Sequence, residues 1–286
     1  MESKATKFEL FRYQLLPINR NIQGDFVNGI NSVEELIEKK NVFFAQSIQE
    51  TKDFSNNKLK IITKKLFDRN DFFLLKIAVR KRIHRETEEF KEEDIDTWPA
   101  VLVAIWNDPE KQIIAVQKKT QAFRTSKRVV DIIMNAILPK LRAYQLTTIV
   151  EPTFEKHIFW DLLKKHKNNV KSIEFKIITP NMANISGELS EELKSFAKIS
   201  NSTTNTLKME SDSEASLNLD SSNNTLNGLV NYASNGGGDI SLKVKGITSI
   251  IHTTQTVKSV EIDSFEMTGK SSNIVEKLKE IIDKFT

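Results

Sequence analysis

The sequence predicts an α+β fold, with mostly antiparallel β-hairpins in the N-terminal half and alternating strands and helices in the C-terminal half. In the first half, apolar runs of strand length are separated by short turn-forming segments, which is typical of hairpins. In the second half, such runs alternate with segments whose apolar residues recur every three or four positions. The 286 residues suffice for two ordinary domains. We therefore expect a basic β-rich domain with two helices over 1–145, and a mixed α/β domain with a C-terminal helix over 146–286.

The first half opens with an alternating segment at 7–16 and a helix at 31–49, for which Ser32 is the expected N-cap. Two strands follow at 58–67 and 72–85. The tetrapeptide DRND between them is rich in turn-forming residues, so these two strands are expected to form a hairpin.

The acidic segment 86–96 has no clear apolar period and is interpreted as a loop or a short helix. The strands 99–106 and 113–119 flank an Asn-Asp-Pro turn and form the clearest hairpin of the chain. A helix is expected over 125–144. Pro139 should end or kink that helix, because proline lacks the N–H group that a helix interior needs.

In the second half, strands and helices are expected to alternate along the chain. The predicted elements are a strand at 146–152, a helix at 153–167 capped by Thr153, a strand at 172–181, a helix at 188–199, an edge strand near 206–212, a helix at 223–238 with a glycine exit, a hairpin of 239–246 with 249–262, and a helix at 271–285 capped by Ser271 or Ser272. The polar stretch 200–225, rich in Ser, Asn and Thr, is expected to be the most mobile segment.

Composition narrows the class of protein. The chain has no cysteine, which excludes disulfides, thiolate zinc sites and a cysteine nucleophile. No apolar run approaches the roughly 20 residues of a membrane helix, and the N-terminus lacks the apolar stretch of a signal peptide. We therefore expect a cytoplasmic protein with no membrane partner.

Charge is distributed unevenly along the chain. Residues 58–142 contain 19 Lys and Arg against 12 Asp and Glu, whereas residues 181–235 contain 3 against 7. Such asymmetry indicates an anionic partner for the first region. The alternative is that both segments are ordinary solvated surfaces, and the sequence leaves it open.

Two basic segments are the candidate binding site. As a strand, KIAVRKRIHR places Lys76, Arg80 and Arg82 on one face, and KKTQAFRTSKR adds five cations where a strand meets a helix N-terminus. The candidate nucleic-acid contacts are Lys76, Arg80, Arg82, Lys118, Lys119, Arg124, Lys127 and Arg128. Phe123 is expected to stack on a base. Since the chain has no base-reading motif, binding should be tolerant of sequence. Lysines that keep a sheet face soluble are the competing interpretation.

The sequence contains no recognisable catalytic motif, so we expect a protein that is not an enzyme and needs no cofactor. The acidic run around Glu92 and Asp94 has the residue types of a magnesium site, but such a crowded run is typical of a solvated loop. No metal site is expected. None of the four histidines has a partner nearby in sequence that would mark it as a general base.

The order of the hairpin VLVAIWNDPEKQIIAVQKK, a helix, IVEPTF, FW and EFKIITPN is similar to that of bacterial and prophage proteins that exclude phages. The resemblance is to the RexA type and to the KwaB type of the Kiwa system, and it covers about residues 70–245. It implies a role in defence, with a DNA-associated and oligomeric protein. Exclusion proteins of the Tin type instead act on a phage replication protein. The resemblance is one of arrangement and carries over no functional residue.

Together these features predict a phage-exclusion or anti-phage defence protein that engages nucleic acid, or a nucleic-acid-associated phage protein, through its basic surface. It is a candidate homo-oligomer. One alternative is a protein-binding module that inhibits a phage or host replication protein through the acidic 181–235 region or the terminal helix. A weaker alternative is a metal-dependent nuclease.

Overall fold

The computed structural model describes residues 5–20, 30–55, 59–179, 183–263 and 270–284, and it confirms the α+β class. The strands are β1 (Thr6–Pro17), β2 (Ile61–Arg69), β3 (Phe72–Val79), β4 (Lys81–Glu86), β5 (Glu92–Thr97), β6 (Ala100–Trp106), β7 (Ile113–Gln117), β8 (Leu146–Pro152), β9 (Val170–Ile178), β10 (Thr204–Glu210), β11 (Gly238–Val244), β12 (Ile251–His252) and β13 (Ser259–Ile262). The α-helices are α1 (Val33–Glu50), α2 (Ser126–Ala143), α3 (Lys156–Lys165), α4 (Ala183–Ser186), α5 (Glu191–Ile199), α6 (Asn224–Tyr232) and α7 (Ser271–Asp283).

The larger sheet has seven antiparallel strands in the order β13-β1-β7-β6-β3-β2, with β8 as an additional neighbour of β1. The long strand β1 organises it. One edge of β1 pairs with β13 over residues 6–9 and with β8 over 11–17, and the other edge pairs with β7 over 8–12. The three partners of β1, which are β7, β8 and β13, come from distant parts of the sequence, so β1 joins both halves of the chain.

Successive side chains of a strand point to opposite faces of this sheet, and the two faces pack against different helices. On β3, Phe73 and Leu75 enter a core that also contains residues of α1 and α2. Phe72 and Leu74 enter a second core on the opposite face, with Ile274 of α7. The sheet therefore lies between α1 and α2 on one side and α7 on the other, which is why β3 is apolar on both faces.

The smaller sheet has four antiparallel strands in the order β10-β9-β11-β12. Its buried face carries Phe175 and Ile240, which pack against Phe159 of α3 and Leu229 of α6. The other face is more polar and includes the exposed Lys176. This one-sided burial follows the alternation expected of an antiparallel sheet with one solvated face.

The two sheets meet where the turn that follows α6, Ala233–Gly237, lies against β1. Arg12 is 1% exposed, and its guanidinium donates to the backbone oxygens of Asn235, at 2.5 Å, and Lys111, at 2.7 Å. Burial lowers the pKa of Arg12 to about 10. Gly236 has φ +80°, and a Cβ on it would lie 2.5 Å from the Cβ of Arg12. Glycine at this position lets the turn approach β1 closely.

The predicted strand 72–85 is wrong in one respect, because it is two strands that separate at Arg80. β3 stays in the large sheet, whereas β4 leaves it and pairs with β5 in a separate two-stranded ribbon. The segment 86–96, interpreted from sequence as a loop or short helix, therefore supplies most of β5.

Other local predictions also need correction. Helix α2 matches the predicted range 125–144 closely, but it does not end at Pro139. Thr153 does not cap α3, since its hydroxyl donates to Leu10 O at 3.2 Å. The predicted strand 249–262 is split between β12 and β13, which belong to different sheets, and α7 has no side-chain cap.

The hairpins β2–β3 and β6–β7, the cap Ser32 and the edge strand β10 agree with the predictions from sequence. The expected boundary at residue 145 falls just before β8. Strands β8 and β13 and helix α7 follow that boundary and pack with the large sheet. Within the described ranges, no helix is both long and apolar enough to cross a membrane.

Candidate anion-binding cleft

The structure disperses the eight predicted contact residues instead of gathering them on one patch. Lys76 shares its parity on β3 with Phe72 and Leu74, which face α7. Helix α2 and the cations before it lie on the opposite face of the sheet. Lys76 is therefore separated from residues 118–128 by the sheet itself.

The arginines of the ribbon are engaged by the chain's own acids. Arg80 lies 2.6 Å from Asp96, and Arg82 lies 3.7 Å from Asp94 and 3.9 Å from Asp96. The register of the ribbon causes this, because it places Arg82 opposite Asp96 and His84 opposite Asp94. The hydrogen bond from Arg80 lowers the pKa of Asp96. A polyanion would have to displace these carboxylates, so the ribbon is a poor candidate for its contact site.

The other basic segment does converge, on a cleft of about 460 Å³ at the N-terminus of α2. Lys118 and Lys119 follow β7, while Arg124 and Lys127 flank the start of the helix. The wall opposite is formed by the segment that includes Thr254 and Val257. A strand end, a helix start and a distant loop thus enclose the predicted cations.

Two of these cations have internal partners. Lys118 lies 2.7 Å from Glu9, which is 8% exposed on β1, and Lys127 forms an ion pair with Asp131 one turn along α2. Lys119, Arg124 and Arg128 are exposed and form no ion pair with any residue in the described ranges. Of these three, Lys119 and Arg124 line the cleft, and Arg128 lies next to it on α2, one residue after the lining residue Lys127.

The backbone at the start of α2 adds to this charge. Thr125 is the N-cap, and its hydroxyl accepts a 3.4 Å hydrogen bond from Arg128 N. The first turn contains no acidic residue, and the first N–H groups of a helix have no intrahelical acceptor. Ser126, which also lines the cleft, is 4% exposed, and its Oγ has no partner within the described part of the chain. A helix start with adjacent cations favours a bound phosphate or carboxylate.

The expected role of Phe123 is wrong. Its side chain is 7% exposed and packs in the core beneath α1 and α2. A ring in that position cannot stack on a base, so the cleft has cations and backbone donors but no aromatic platform formed by Phe123.

A second polar cluster next to the cleft was not found from sequence. Asp239 on β11 lies 2.6 Å from His252 Nδ1 and accepts a 2.9 Å hydrogen bond from the hydroxyl of Thr254, which lines the cleft. Glu151 on β8 lies 3.7 Å from Lys176, and burial raises the pKa of Glu151. These partners are far apart in sequence, and no local pattern marks them.

Among the residues described, no three His, Asp or Glu side chains come together as a potential metal site. Asp94, one of the two acids considered for a nuclease, contacts the His84 ring nitrogen Nδ1 and forms an ion pair with Arg82. Glu92 lies opposite Glu86 at the end of the ribbon.

No family model, curated protein or solved structure matches the chain. The cleft at the start of α2 is therefore characterised by its own residues, as a pocket lined by Lys118, Lys119, Arg124 and Lys127.

Proposed function

We propose that this protein binds nucleic acid through the α2 cleft, by holding backbone phosphates without reading bases and without catalysis. The observation that supports this most directly is the convergence of Lys119 and Arg124 on the cleft at the start of α2, with Arg128 one residue beyond the lining residue Lys127. Cations and backbone amides are the groups that contact phosphates in protein–nucleic acid complexes. Because no base-edge reader accompanies them, binding is tolerant of sequence.

Salt dependence tests the proposal. Each phosphate contact adds about 0.7 to the slope of log affinity against log salt for a single strand, so three contacts give a slope of about −2. Affinity for a labelled single-stranded oligonucleotide, measured by fluorescence anisotropy, should then fall on the order of tenfold between 50 and 200 mM salt. The triple variant Lys119→Gln, Arg124→Gln, Arg128→Gln should bind weakly and lose most of this slope.

The ribbon supplies a control with the same change in net charge. Arg80, Arg82 and Arg85 each form an ion pair with an acid of β5, so a triple Arg→Gln variant at these positions should keep the affinity and slope of the wild type. Equal losses in both triple variants would mean that net charge alone drives binding, and would refute the assignment of the cleft.

We also propose the biological role that the similarity in layout implies, which is phage exclusion in the cytoplasm. Expression of the chain should lower the efficiency of phage plating, and the Lys119, Arg124, Arg128 triple variant should restore it. Restoration by the ribbon variant instead would place the active surface elsewhere.

A protein partner is the second candidate. Phe196 and Ile199 on α5 are 66% and 77% exposed, which is unusual for large apolar side chains in adjacent helical turns. Association with a phage or host protein that does not weaken with salt, and that is lost in a Phe196→Ser, Ile199→Ser variant, would favour this function over nucleic-acid binding.

A further inference from the structure

A second and larger cleft, of about 720 Å³, lies in the smaller sheet's half of the molecule, between α3 and residues 217–221. Its volume is within the range of small-molecule sites. None of its lining residues belongs to the α2 cleft. The proposed binding of nucleic acid makes no use of it.

One face of α3 forms the first wall. His157, Trp160, Asp161 and Lys164 are spaced by three, four and seven residues, so they lie along one side of the helix. Phe159 points into the core, where it is fully buried and contacts the Trp160 ring at 4.8 Å between centroids. The Trp160 indole thus packs against the buried Phe159 ring while it also lines the cleft.

The opposite wall is fixed by hydrogen bonds to the end of α3 and to β9. Leu217 N donates to Val170 O at 2.9 Å, and Ser216 Oγ donates to Asn168 O at 2.6 Å. The ammonium of Lys171 reaches Ser213 O at 2.6 Å. These contacts secure a segment that the sequence marked as the most mobile, and the cleft is therefore formed before any ligand enters.

Of the charged side chains that line this cleft, Asp220 accepts a 2.8 Å hydrogen bond from Ser222 N. His157, Asp161, Lys164 and Lys167 form no ion pair with other residues in the described ranges, although many charged side chains elsewhere do. The floor is apolar and includes Leu163 and Val170. An aromatic wall, an apolar floor and unpaired charges at the rim fit a ligand that is flat and apolar at one end and charged at the other.

We propose that this cleft binds a nucleotide. The base lies against Trp160, the phosphate meets Lys164 and Lys167, and Asp161 accepts hydrogen bonds from the ribose hydroxyls. Stacking on an aromatic side chain tolerates any base, and lysine ammonium groups are common phosphate ligands. A purely apolar ligand would leave the two lysines and Asp161 without a role.

Isothermal titration calorimetry with AMP tests the proposal, with adenosine and inorganic phosphate as part-ligands. AMP should bind at one site, at least tenfold more tightly than either part. Trp160→Leu, or Lys164→Gln with Lys167→Gln, should weaken AMP binding at least tenfold. Lys156→Gln with Lys165→Gln removes two lysines of the same helix outside the cleft and should leave it unchanged.

Two further measurements separate this site from the α2 cleft. The Lys119, Arg124, Arg128 triple variant should bind AMP like the wild type, and AMP should quench tryptophan fluorescence in the wild type but much less in Trp160→Leu. Absence of saturable AMP binding, or equal AMP binding by the Trp160 variant, overturns the proposal. Loss of AMP binding in the α2 triple variant assigns the nucleotide to the other cleft and overturns it as well.

Discussion

Asn107 joins four segments of the large sheet's buried end, and its removal should be among the most destabilising changes in the chain. Its Oδ1 accepts hydrogen bonds from Tyr13 Oη at 2.7 Å and Asn41 Nδ2 at 2.8 Å. Its Nδ2 donates to Asn41 O at 2.8 Å and Asn70 O at 2.7 Å. The side chain is 5% exposed, so water does not replace most of these partners.

The size of the effect follows from the burial of each bond. The three bonds to Tyr13 and Asn41 are buried, whereas Asn70 is exposed and its carbonyl can turn to solvent. At about 1 kcal/mol for each buried bond, Asn107→Ala should lower the free energy of unfolding by about 3 kcal/mol. This loss is a large part of the total free energy of unfolding of a typical domain, which is roughly 5–15 kcal/mol.

Urea denaturation followed by circular dichroism measures this directly. Tyr13→Phe removes the bond to Asn107 Oδ1 and a longer 3.4 Å contact of the same hydroxyl with Trp106 O, and it should cost about 1 kcal/mol. Asn218→Ala, at an exposed position with no side-chain hydrogen bond to a described residue, should cost less than about 0.5 kcal/mol. A loss below about 1 kcal/mol for Asn107→Ala would refute the view that this network is dry and fully used.

Three further changes test other features. Gly236→Ala should destabilise the chain by about 2 kcal/mol or more, because φ is +80° and the new Cβ meets Arg12; an unchanged urea midpoint would contradict the close approach. Burial raises the pKa of Glu151 above its ordinary 4.5, so the native state binds this proton more tightly than the unfolded state, and stability should fall as pH rises through that window. Glu151→Gln should match the wild type near pH 4 and be at least as stable at pH 7, as measured by urea midpoints; a less stable Gln variant at pH 7 would show that the charge is needed. Pro139→Ala should stabilise α2 by up to about 3 kcal/mol, because Pro139 is exposed within the helix; thermal melts giving a lower midpoint would contradict this.

Local patterns were sufficient where a segment's own residues determine its structure. The hairpin β6–β7 has an apolar run on each side of a turn that its sequence encodes, and α1 begins at Ser32, whose Oγ accepts from Glu35 N at 3.1 Å. The cations of residues 118–128 also lie together because they are neighbours in sequence. These parts of the fold and of the α2 cleft could be predicted.

Contacts between distant segments could not be predicted from local sequence patterns. Strand β5 has no apolar alternation, because both faces of the ribbon are exposed, and its acids are matched by the basic residues of β4 through the pairing register. The parity of β3 shows that Lys76 shares a face with Leu74, but the helix that covers this face comes from the other end of the chain. The contact between Asp239 and His252 was not predicted for the same reason, because it depends on how β12 pairs within the smaller sheet.

The position of β1 has a consequence for biosynthesis. This strand is synthesised long before its partner β13 and the covering helix α7, which follow it in the sequence. Until then, Phe8 and Leu10 remain uncovered on a nascent chain with an open edge, where they are exposed to chaperones and to aggregation. Slow, late and cooperative acquisition of the native state is the expected outcome for such long-range connectivity.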